Sequence, residues 1–152
     1  MINWVFKTFD ELTVAELYSI IQLREDIFIV EQNCPFLDCD GKDPFCWHLM
    51  GWVDGKLAVY ARIVPPGLAF KTGSIGRVVS SREARANGYG KQLMQKAIEK
   101  AEELGFNELT IGAQYYLLKF YQSFGFKEFD EIYLEDGIEH IYMRREKFES
   151  ED

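Results

Sequence analysis

The apolar positions change period along the chain, and each change predicts an element. From Asn3 to Phe9 they alternate with polar ones, as in a first strand. Thr13-Val14-Ala15-Glu16 has the spelling of a capping box, and Leu17, Ile20, Ile21, Ile27 and Phe28 recur behind it at helical spacing. Asn33 to Pro44, rich in Pro, Asp and Gly, predicts a loop. Phe45 to Val53 and Lys56 to Val64 predict two strands joined at Asp54-Gly55, a hairpin turn. Pro65-Pro66-Gly67 breaks the second off, and Ser74 to Ser81 predicts a central strand. From Gly88 a helix carries Leu93, Met94, Ala97, Ile98, Ala101 and Leu104 inward and stops at Gly105. Glu108 to Gly112 reads as a strand, and Tyr115 to Gly125 as a short helix capped by its glycine. Asp136-Gly137 turns a final hairpin, and the acidic end, Glu149 to Asp152, is expected to stay loose.

The order β-α-β-β-β-α-β-α-β-β predicts an α/β (α+β) fold, a central mixed sheet of about seven strands covered by helices. At 152 residues without a linker or repeat, a single domain spanning 1–152 is expected. The net charge of −8 argues against nucleic-acid binding, which draws its affinity from Lys and Arg. The same charge serves plain solubility first and only mildly favours a cationic or amine-bearing ligand. No apolar run reaches the length of a membrane span, and Met1 to Lys7 lacks the pattern of a signal peptide. Three cysteines, an odd number, fit reduced thiols, so a cytoplasmic protein is expected.

The candidate chemistry centres on Arg85-Ala86-Asn87-Gly88-Tyr89-Gly90, between the central strand and its helix. Strand, Gly-containing loop and helix N-terminus form an anion site, because unpaired N–H groups and the positive helix end converge there. Gln92 stands where a P-loop needs Ser or Thr, and Leu93 where a dinucleotide fingerprint needs a small residue. The remaining spelling, Arg/Gln-x-x-Gly-x-Gly/Ala, resembles the coenzyme A pyrophosphate loop of the GNAT acetyltransferases. Downstream, Phe120-Tyr121-Gln122-Ser123-Phe124-Gly125-Phe126 resembles a second element of that superfamily. Arg24 to Phe36 with Asp38 to Asp43 and His48, and Tyr133 to Met143 near the end, resemble its ElaA-like branch. The resemblance therefore covers nearly the whole chain.

The resemblance implies two central parallel strands that splay apart, with pantetheine in the gap. Val78, Val79 and Ser80 would bond the pantetheine arm and thioester. Arg85, Ala86, Asn87, Gly88, Tyr89, Gly90 and Lys91 would hold the pyrophosphate, and Gln114 would touch the cofactor arm. It implies acetyl-CoA as co-substrate, a primary amine of a small molecule or peptide as acceptor, direct attack in a ternary complex, and often a homodimer. Tyr121 would be the general acid that protonates the leaving thiolate; without the motif it reads as a core aromatic.

An acceptor amine of pKa about 10 must lose a proton before it attacks. Some family members carry a Glu in the strand before the Tyr-bearing helix, but Leu109-Thr110-Ile111-Gly112 has no carboxylate. Glu31 and His48 are the alternative bases. The missing carboxylate also keeps open a non-catalytic acyl-CoA sensor or regulatory module. Cys34, Cys39, Cys46 and His48 fall within 15 residues but lack the tight spacing of a zinc site, and Asp38, Asp40 and Asp43 read as a polar turn, so no metal is expected.

Overall fold

The computed structural model describes residues 1–147, so Glu149 to Asp152 lie outside the described residues. The main elements are β1 (Asn3–Thr8), α1 (Val14–Arg24), β2 (Trp47–Val53), β3 (Lys56–Val64), β4 (Ser74–Ser80), α2 (Tyr89–Glu103), β5 (Glu108–Gln114), α3 (Leu118–Gln122), β6 (Lys127–Glu128), β7 (Tyr133–Glu135) and β8 (Ile138–Glu146). The α/β expectation holds, with a difference in the sheet. The strands divide between two antiparallel sheets, β1-β2-β3-β4 and β5-β8-β6, with β7 also paired to β8. The strand beyond the expected seven is β6, whose two residues are too few to leave a period in the sequence.

The two sheets meet along β4 and β5. Among the described residues their ladder is one parallel bridge, Gly73 with Leu109, and the Thr110 N–H donates to the Gly73 carbonyl at 3.0 Å. Beyond that bridge the strands part. On β4, Gly76 pairs with Arg62 and Val79 with Tyr60, so Arg77 and Val78 together oppose Ala61. This is a β-bulge, and Arg77 sits in it at φ 49°. A bulge bends its strand and interrupts the ladder, so it turns β4 where the seam opens. The sequence reads Ser74 to Ser81 as an unbroken strand because Arg77 gives no sign of a left-handed backbone.

Both faces of the first sheet are covered. Val59, Ala61 and Ile63 of β3 join the core of α2, where Leu93, Met94, Ala97, Ile98 and Ala101 are buried. Tyr60 belongs to the opposite core, with Met50, Ile20 and Leu23. Leu109, Ile111, Ile141 and Met143 bring the second sheet into the α2 core, so that helix ties the two sheets together.

The predicted capping box starts α1. The Glu16 N–H donates to Thr13 Oγ1 at 3.0 Å, and the Thr13 N–H donates to Glu16 Oε1 at 2.8 Å. Thr13→Ala is expected to cost about 1 kcal/mol in urea unfolding; no change in the midpoint would show that this end of α1 contributes nothing. After Arg24 the helix widens into a π-helical segment, Glu25–Glu31, closed by Gln32 N–H to Ile27 O at 3.2 Å and Cys34 N–H to Ile29 O at 3.1 Å. Its wider turn keeps Ile27 in the core and places Phe28, Glu31 and Gln32 at the seam.

Candidate active site

A cleft of about 620 Å³ opens where β4 and β5 part, within the usual range of ligand sites. Ile75 to Ser80 form one wall, Ile111, Gly112 and Gln114 another, and Tyr121 of α3 also reaches it. Beyond Gly73, β4 has no strand neighbour on its seam side among the described residues. Its N–H and C=O groups there are available to an extended ligand, as a strand edge is. Val78, Val79 and Ser80 all lie at that edge.

The candidate anion loop enters from the same side. Gly88 caps α2 at φ 74°, and Ala86 is also left-handed at φ 70°. The first turn of α2 leaves its N–H groups without intrahelical partners and carries the positive end of the helix dipole. A Cβ built on Gly88 would meet nothing within 4 Å, so space stands open above the loop. One on Gly90 would lie 3.7 Å from Ser80 Oγ, which shows how closely the loop abuts the end of β4. Arg85 and Gly90 line the cleft, whereas Ala86, Asn87, Gly88, Tyr89 and Lys91 do not. Asn87 Nδ2 donates back to the Ala84 carbonyl at 3.4 Å, and Tyr89 packs against the core.

Glu31 faces Arg85 across this mouth. Arg85 donates both Nη atoms to its carboxylate, one at 2.7 Å, and Arg82 approaches at 3.4 Å. The hydrogen bonding from Arg85 holds the Glu31 carboxyl below its ordinary range, opposite to what a base near neutral pH needs. His48 lies outside the cleft. Its ring is buried, with Nδ1 2.7 Å from Tyr60 Oη and Nε2 2.9 Å from the Asp43 carbonyl. Burial lowers its pKa, and both nitrogens are already engaged. Gln114 does line the cleft, where its Nε2 donates to Gln32 Oε1 at 3.4 Å.

Tyr121 is 7% exposed, and burial pushes its hydroxyl up to about 12, so the phenol carries its proton at neutral pH. The missing strand carboxylate has a steric counterpart. A Cβ on Gly112 would lie 2.7 Å from Tyr133 Oη, so the final hairpin fills that space.

Two features were missed in the sequence. His140 of β8 lines the cleft, and only the turn at Asp136-Gly137 could have hinted that it folds back there. The acids of the Asn33–Pro44 loop are more than a polar turn: Asp38, Asp40 and Asp43 pair with Arg24, Arg62 and Arg77 from α1, β3 and β4. The four candidate zinc ligands turn to different partners. Cys34 Sγ donates to the Asp136 carbonyl at 3.1 Å, Cys46 Sγ donates to the Lys42 carbonyl at 3.2 Å, and Cys39 is exposed. Among the described residues no helix is long and apolar enough to cross a membrane.

Splayed sheets, an anion loop at a helix start and a protonated tyrosine in the cleft between them suit transfer of an acyl group from a phosphate-bearing thioester. A family model for the acetyltransferase (GNAT) domain matches residues 49–147. The chain belongs to that family and is an acyltransferase. It is 43% identical to Protein ElaA of Escherichia coli K12 over 149 residues, 96% of this chain and 97% of ElaA. The crystal structure of E. coli ElaA matches with a TM-score of 0.90 at 42% identity, covering 96% of this chain and 100% of that one. An acyl-CoA N-acyltransferase from Pseudomonas aeruginosa matches with a TM-score of 0.91 at 43% identity, covering 95% and 99%.

Proposed function

We infer that this acyltransferase moves the acetyl group of acetyl-CoA to a primary amine of a small molecule or peptide, by direct attack within a ternary complex. The observation that carries this reading is Tyr121, a buried and protonated hydroxyl group at the cleft beside the open edge of β4. In this reading Val78, Val79 and Ser80 bond the pantetheine arm through their backbone. A β4 N–H polarises the thioester carbonyl as an oxyanion hole does. The loop from Arg85 to Lys91 takes the pyrophosphate, and Gln114 steadies the arm. Tyr121 donates its proton to the departing thiolate.

The test is a calorimetric titration with acetyl-CoA, followed by thiol release with a panel of amines. Saturable binding is expected. Gly88→Trp is expected to abolish it, because the side chain would fill space that is open above the loop. The left-handed backbone adds roughly 1–2 kcal/mol of strain to that variant, so its thermal unfolding is measured alongside. Unchanged binding by folded Gly88→Trp would remove the loop from the site. Binding without thiol release for any amine would leave the sensor reading in place of N-acetyl transfer.

A further inference from the structure

The acyl-transfer reading leaves one proton without an acceptor. Glu31 is bound to Arg85 and His48 lies outside the cleft with both nitrogens occupied. We propose that His140 is the general base: its Nε2 takes the proton of the acceptor ammonium, and Glu135 compensates the imidazolium that forms. The proposal rests on the N-acetyltransferase reading and assigns its unfilled role.

The geometry sets the tautomer. His140 Nδ1 lies 2.8 Å from the Ile138 carbonyl oxygen, which can only accept. Nδ1 therefore carries the hydrogen of the neutral ring, and the lone pair sits on Nε2. Glu135 Oε2 stands 3.5 Å from Nε2, an ion-pair separation without a hydrogen bond, so this nitrogen, unlike either of His48, is left for the acceptor. The Tyr133 ring packs beside the imidazole, with centroids 5.6 Å apart and the planes tilted by 30°. His140 is 7% exposed, pairs with Gln114 across β5–β8, and lines the same cleft as Tyr121.

Around His140, Tyr133 and Glu135 come from β7 and Asp136 from the turn. Cys34 reaches that turn from the loop beyond the π-helical segment, as a thiol donating to the Asp136 carbonyl. Gln114 on β5 carries no charge. Glu135 and Asp136 put two carboxyl groups on this wall, and the cationic side chains of the cleft, Arg77 and Arg85, are paired with Asp38 and Glu31, so the wall suits an acceptor that arrives as an ammonium ion.

The step balances. The acceptor nitrogen gives one proton to Nε2, and its lone pair forms the N–C bond at the thioester carbonyl. As the C–S bond breaks, the thiolate takes the Tyr121 proton. The nitrogen's second proton restores Tyr121, and His140 returns the first to water.

The test uses two acceptors, one of high pKa and one already neutral at the assay pH. With the first, His140→Asn is expected to lower kcat about 10²–10⁴-fold and to abolish the acidic limb of kcat/KM against pH. The deficit should shrink at least tenfold with the second acceptor, and acetyl-CoA affinity should not change. A purely structural role would give equal deficits with both acceptors and leave the limb in place, which overturns the proposal. If the variant does not fold, the native chain answers instead, since it has two histidines and His48 is buried and doubly bonded. Diethyl pyrocarbonate should modify one imidazole, abolish turnover of the first acceptor, and be reversed by hydroxylamine. Reaction of neither imidazole, or full activity after His140 is modified, overturns the base. Wild-type protein that releases no thiol with any amine overturns the transfer reading itself, a distinct outcome from an active wild type whose acidic limb survives His140→Asn.

Discussion

Tyr121→Phe is expected to lower kcat about 10²–10⁴-fold while leaving the Kd for acetyl-CoA within about twofold. The substitution removes one oxygen and keeps the ring, which packs edge-on against Phe120 and Phe126 at 5.2 and 6.1 Å between centroids. The core therefore stays filled, and loss of rate reports the hydroxyl. The hydroxyl pKa of about 12 keeps the proton in place through the neutral range. A thiolate of pKa about 8.5 leaves readily, and a proton delivered as the C–S bond breaks stabilises the charge it develops and traps it as the thiol. Equal losses in kcat and in affinity would show that Tyr121 shapes the cleft; loss of neither would remove it from the chemistry.

The second large effect is on stability. Arg24→Leu is expected to destabilise the protein by about 3–5 kcal/mol and lower Tm by roughly 10 °C or more. Arg24 has 1% of its side chain exposed, and it donates to Asp38 Oδ2 at 2.8 Å, to Asp43 Oδ1 at 2.7 Å and to the Asp38 carbonyl at 3.0 Å. Leucine would leave two largely buried carboxylates short of donors, and an uncompensated buried charge costs more than the pair itself contributes. A loss under about 1 kcal/mol would mean that water replaces the guanidinium.

The same network sets an acid limit on stability. Burial alone would raise the Asp40 and Asp43 carboxyls, but hydrogen bonds from Arg62 and Arg24 outweigh it and hold both below the ordinary carboxylate range. Folded values below the unfolded value of about 3.9 give stability that is present above that pH and lost as pH falls through the folded values. The Asn33–Pro44 loop is thereby held to α1, β3 and β4.

Local chemistry was legible in the sequence, and long-range pairing was not. The Thr13 capping box, the Asp54-Gly55 hairpin and the Gly88 start of α2 are written in a few adjacent residues, and each stands where expected. The Arg77 bulge depends on the register between β3 and β4, which no residue at position 77 announces. Asp38, Asp40 and Asp43 read as a solvated turn because their arginines lie up to 39 positions away along the chain. His140 stayed hidden for the same reason: its role follows from the carbonyl two residues earlier and from a hairpin that folds Glu135 beside it. Glu31 stood out as a free carboxylate because the sequence does not show that Arg85 closes on it.

The seam between β4 and β5 also bears on self-association. An unpaired strand edge is ordinarily a template for another chain's strand, and proteins must block it. The open length of β4 faces inward, with β5 opposite and the π-helical segment, the start of α2 and the final hairpin around it. A small extended ligand can enter there, but a second chain cannot lay a whole strand alongside without displacing those elements. One arrangement thus leaves backbone hydrogen-bonding groups open to a small ligand and withholds them from aggregation.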